Sequence, residues 1–152
     1  MVTPPSDANA YSVKDGDVLF LSRGSKYVAV PLVRPYVEPF PSSWDGIIAA
    51  YYFYILRPRR QEVLPEYLAW SLNSEMMQAE MHRGSEGTHM TMIKRRDFES
   101  LTVPVPPLET QRRIVELHHL ALRERRLMEQ IQSKRTAMVE TLCSQIAAGR
   151  FQ

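Results

Sequence analysis

At 152 residues the chain has room for one domain and an appendage, not for two full domains. Its 44% hydrophobic content supports a modest core, yet no run of about eighteen apolar residues exists to cross a membrane. A net charge of +2 excludes a wholly basic tail, and a single cysteine, Cys143, excludes an internal disulfide.

Residues 1–10 read as a loose leader, without the basic-then-apolar order of a signal peptide. "VLFLS" at 18–22 and "YVAVPLV" at 27–33 have strand composition, with "RGSK" at 23–26 as a turn between them. Three prolines make 34–46 a loop. "IIAAYYFYIL" at 47–56 is apolar and aromatic, bounded by Gly46 and Pro58, and predicts a buried strand.

Residues 64–83 have helical spacing: Leu64, Leu68, Leu72 and Met76 form a four-step row, Pro65 suits a first turn, and Gly84 closes the element. Residues 84–98 form a loop leading to a short element. In "LTVPVPPLETQRRIVEL", 101–117, Leu101, Val103 and Val105 fall on one side of an extended chain. Pro104 and Pro106 force their predecessors out of helical geometry and withhold donors, so an edge strand is expected. Pro107 can open a helix, and Glu109 suits its first turn.

From Leu108 to about Ala148 the sequence holds no proline and no glycine. Ile114, Leu117, Ala121, Met128, Ile131, Met138, Leu142 and Ile146 recur at three- and four-residue intervals, interrupted by Glu124 and by Lys134–Arg135. A helix of this length spans roughly 60 Å. The preceding hundred residues cannot cover such a stripe, so it predicts a seam with another helix, and Cys143 a small core or seam residue.

Catalytic patterns are missing from the sequence: no HExxH, no CxxC, no Walker-type loop and no glycine-rich cofactor signature. His118 and His119 are adjacent and cannot share a helix face. Asp15 and Asp17 flank Gly16 and fit a turn. Basic residues cluster at 57–60, 94–96 and 123–126, and each cluster alone is compatible with a solvated face. Two segments suit nucleic acid better. In 22–26, Arg23 can donate two bonds to a guanine edge, while Ser22, Ser25 and Lys26 can hold phosphate beside a slim Gly24. In 83–96, the polar side chains Ser85, Thr88, His89 and Thr91 precede Lys94 and Arg95. Together on one face, these segments would make a DNA-binding surface.

"VKDGDVLFLSRGS", "EYLAWSLNSEMMQAEM" and "GSEGTHMTMIKRRDFESLTVPVPPLETQRRIVEL" together resemble the specificity subunits of type I restriction–modification systems. The resemblance runs over roughly 13–151. Its most specific phrase is the proline corner, where Pro104, Pro106, Pro107, Leu108, Gln111 and Ile114 all match. It implies an α+β fold: a small mixed α/β target-recognition domain at 1–107, then a long helix at 108–150 forming an antiparallel coiled coil. It implies a cytoplasmic, non-catalytic subunit without cofactor that reads half of a split double-stranded DNA target. Methyltransferase subunits would dock around it, with the restriction subunit as a further partner. Only one repeat is present, so the resemblance implies a half-subunit and a homodimer through the C-terminal helix. The alternative is an assembly or dimerisation partner of another specificity subunit that does not read DNA.

Overall fold

A computed structural model of the chain describes residues 11–24, 26–34, 36–37, 39, 41–83 and 91–150. They form β1 (Val18–Leu21), β2 (Arg23–Gly24), β3 (Val28–Pro31), β4 (Phe53–Leu56), α1 (Pro65–Asn73), α2 (Glu75–His82), β5 (Thr91–Met92), α3 (Arg95–Glu99) and α4 (Leu108–Ala147). The chain divides into two compact units, Met1–Val115 and Glu116–Gln152. The first two turns of α4 therefore belong to the first unit. The fold is α+β, with a small antiparallel sheet, packed helices and one long C-terminal helix.

The three-stranded sheet has the order β3-β1-β4, antiparallel throughout. Period-two alternation on β1 sends Val18 and Phe20 into the core. Phe20 meets Tyr27 at 5.9 Å and Phe98 at 4.4 Å between ring centroids. Ala69 and Leu72 of α1, Met77 and Met81 of α2, and Ile93 complete the cluster. The outer edge of β3 is closed by a side chain: Asn73 accepts from Ala29 N–H at 2.9 Å and donates to Ala29 C=O at 2.8 Å. Pro31 ends the strand without a backbone donor, so this edge is poorly suited to further pairing.

Five expectations are corrected, the last in part. The buried strand expected at 47–56 is a strand only over Phe53–Leu56. Ile47–Ala49 instead pairs briefly with 11–13, a turn follows, and Ile48 and Tyr51 are exposed. An unbroken apolar run carries no period, so the break at the turn was invisible to pattern. The helix expected at 64–83 splits at Ser74, whose backbone is extended. Its hydroxyl donates to Ser71 C=O at 2.6 Å and accepts from Met77 N–H at 3.3 Å, stopping one helix and starting the next. The turn expected at 23–26 begins as β2. Residues 101–105 are extended but have no ladder partner among the described residues, so no edge strand forms there. Cys143 is exposed in the chain, not part of a core.

The proline corner is held from behind by side chains. Tyr67 O–H donates to Pro104 C=O at 2.7 Å. Gln111, one turn into α4, is fully buried. Its Oε1 accepts from Leu64 N–H at 2.9 Å, and its Nε2 donates to Glu62 C=O at 2.8 Å and Pro106 C=O at 2.7 Å. One amide thus ties the approach to α1, the proline stretch and the start of α4. Gln111→Met keeps the length and removes all three bonds. It should cost about 2–4 kcal/mol, because three partly buried backbone groups lose their partner, read as a lower denaturant midpoint at unchanged slope.

Candidate nucleic-acid interface

The two basic segments lie far apart in sequence and meet in the fold. β2 pairs antiparallel with β5, Arg23 opposite Met92 and Gly24 opposite Thr91. This ribbon grows directly out of the main sheet. Ser22, between β1 and β2, donates its N–H to Tyr52 C=O at 2.9 Å and its hydroxyl to the same oxygen at 2.6 Å. Its own C=O accepts from Ile93 N–H at 3.0 Å. Ile93 C=O in turn accepts from Tyr54 O–H at 2.9 Å. Burial pushes the Tyr54 hydroxyl up from its ordinary range, so it stays protonated and keeps donating.

Arg23 and Lys26 are exposed, one on β2 and one just beyond it. Lys94 is exposed at the N-terminal end of α3, and Arg95 follows it. Arg95 Nε donates to Glu99 at 2.7 Å, a solvated contact that raises its pKa further and keeps it charged. Thr91 contributes backbone to the ribbon. Ser25, Ser85, Thr88 and His89 lie outside the described residues. Ser22 is the correction: it is fully buried, with its hydroxyl engaged by Tyr52, and serves as a node of the ribbon rather than a surface donor. The signal was present, since Val18, Phe20 and Ser22 share one side of an extended chain.

Sequence reasoning passed over two residues. Arg96 is exposed beside Arg95 on α3, and the cluster 94–96 already pointed to it. Met92 is 59% exposed on β5, opposite Arg23. Gly24 has φ +148°, a backbone conformation that favours glycine, so the slim residue serves the ribbon's path as well as close approach.

The other basic cluster near the sheet is structural. Arg57 donates Nε and Nη2 to the buried carboxylate of Asp17 at 2.8 and 2.9 Å, which raises its pKa. Arg60 donates to Asp15 at 2.8 Å. Gly16, at φ +84°, lets the acidic turn pass beneath Arg60, where a Cβ would strike the guanidinium. On the ribbon and at the start of α3, by contrast, Arg23, Lys26, Lys94 and Arg96 are exposed and make no salt bridge among the described residues, which leaves them open to an anion.

Among known proteins, the family model of the type I restriction modification DNA specificity domain matches residues 5–134. The chain also resembles the HsdS subunit from Thermoanaerobacter tengcongensis in its crystal structure, with a TM-score of 0.62 and 25% identity over 91% of this chain. The match spans 34% of that subunit, so this chain covers about a third of its length. No curated protein matches.

Ser22→Ala should cost about 1 kcal/mol of stability, the worth of one net hydrogen bond. A thermal melt beside wild type checks it; an unchanged midpoint would remove the Ser22 hydroxyl from the anchoring of the ribbon.

Proposed function

The chain belongs to the type I restriction modification DNA specificity domain family, and from that premise we propose that it reads DNA sequence for a modification or restriction assembly without performing chemistry itself. The observation that carries this reading is the β2–β5 ladder, which joins Arg23 and Gly24 to the segment leading into Lys94 and Arg95. A two-stranded ribbon fits a major groove, and an arginine on it can make the bidentate contact that distinguishes guanine. Lys26, Lys94, Arg95 and Arg96 hold phosphates and set register. Ser25, Ser85, Thr88, His89 and Thr91 add polar contacts from the adjoining segments.

The second part of the reading concerns α4. Leu117, Met128, Ile131, Met138 and Ile146 are each more than half exposed, an apolar stripe open to solvent along most of the helix. Two copies pairing through it form a homodimer that presents two reading heads to a split, palindromic target. Methyltransferase subunits, and a restriction subunit beyond them, dock on that dimer in the cytoplasm. The exposed stripe equally favours a second reading, in which the chain only assembles with another specificity subunit.

Selection from a random duplex library at several salt concentrations separates the readings. A DNA reader enriches a sequence and loses affinity steeply as salt rises; an assembly partner enriches none. Arg23→Ala should cost about 1–3 kcal/mol at one base position and relax selection there. Unchanged selection removes Arg23 from the site. Ile131→Asp sets a charge into the stripe and should convert dimer to monomer, read by sedimentation; an unchanged mass refutes pairing through that face.

A further inference from the structure

The interruptions in the α4 stripe carry information that its apolar residues do not. Taken as a heptad, Ile114, Ala121, Met128, Arg135 and Leu142 occupy one seam position. Leu117, Glu124, Ile131, Met138 and Gln145 occupy the other. In an antiparallel coiled coil each residue of the first kind faces one of the second. A two-fold axis between Glu129 and Gln130 sets Met128 against Ile131 of the second copy, Ala121 against Met138, and Leu117 against Leu142. It also sets Glu124 against Arg135. The two charged residues that spoil the stripe in one chain become each other's partners across the axis, once on each side.

Given that pairing, we propose that Glu124 and Arg135 set its register, each facing the other across the two-fold axis as an orientation lock. This rests on the helix-pairing part of the proposed function and is independent of DNA reading. The charge complementarity is specific. A parallel, in-register pair would press Glu124 on Glu124 and Arg135 on Arg135, and like charges at a seam are strongly disfavoured. Among the described residues neither Glu124 nor Arg135 has an ion-pair partner in its own chain, and both are exposed. The flanking positions agree. Arg125 falls beside Gln132 of the second copy and Leu127 beside Lys134, so no like charges meet there. Small Ala121 opposite long Met138 keeps that layer filled without overpacking. A seam that is complementary to itself about a single point satisfies the requirement of an isologous interface, where residue i meets j and j meets i. A different subunit would have no need of that self-complementarity.

The test is charge exchange, read by sedimentation equilibrium of the full chain. Glu124→Arg alone places two like-charged layers in the dimer and should weaken it about tenfold or more. Arg135→Glu alone should do the same. The double exchange restores opposite charges and should recover the wild-type dissociation constant. The two single variants, mixed, should form a heterodimer tighter than either alone. Both positions are exposed, so the monomer should fold in every case, checked by circular dichroism. Single variants that dimerise as tightly as wild type, or a double exchange no better than the singles, would overturn the register. A wild-type chain that stays monomeric at high concentration would overturn helix pairing itself, a different result from loss of the lock.

Discussion

The buried amide of Gln111 is the constraint on which the rest depends. The first two turns of α4 belong to the first unit and must be tied to it. Prolines at 104, 106 and 107 limit the backbone that leads into them but supply no bond to the rest of the unit. Gln111 supplies it. It reaches back from the helix to Leu64 N–H, Glu62 C=O and Pro106 C=O, three backbone groups from two other parts of the unit. A buried polar side chain that satisfies every partner is rigid for the reason that a half-satisfied one is costly. Tyr67, bonded to Pro104 C=O, closes the corner from the other side.

The same economy of buried polar atoms builds the basic ribbon. Neither β2 nor β5, at two residues each, could persist as an isolated hairpin. Ser22 makes them an extension of the main sheet, because its backbone and hydroxyl bond to Tyr52 while its carbonyl holds Ile93. Cations on such a ribbon are displayed from a fixed backbone, so only their side chains, and not the chain that carries them, remain to be ordered by a ligand. Beneath the opposite end of the sheet, Asp17 and Asp15 engage Arg57 and Arg60. Two clusters that look alike in sequence thus differ in their partners: Arg57 binds a buried, long-range carboxylate, whereas Arg95 meets only the solvated Glu99 one turn along α3.

Much of this was legible from the sequence where chemistry forces a local outcome. The proline corner, the long α4 and strands β1 and β3 follow from fixed φ, missing breakers and period two. Ser74 could have been read as a cap, because a serine before Glu75 suits a helix start. The four-step row through Met76 overrode it, yet Met76 is exposed and the buried residues are Met77 and Met81. Residues 47–56 could not be divided, since every position is apolar or aromatic and no alternation marks the turn. The pairing of Arg23 with Met92 is a long-range contact, and nothing local in either segment encodes it. Gln111 stood out only as part of a matching motif. Its role requires knowing where Glu62 and Leu64 lie, which is a property of the folded chain.

Apolar and polar residues divide the labour along α4 in the proposed dimer. Leu117, Met128, Ile131 and Met138 supply attraction, but an apolar stripe is tolerant: it would pack against many partners, in either direction and at several registers. Glu124 and Arg135 weaken a seam if each is desolvated alone, and that cost excludes most of the alternatives. Only an arrangement that brings them together recovers it. At the head of the same helix Gln111 follows the same logic, with a polar group that is tolerable in a single geometry. Local geometry at the head of α4 and orientation in the proposed dimer would thus each rest on a polar side chain that would be a liability anywhere else.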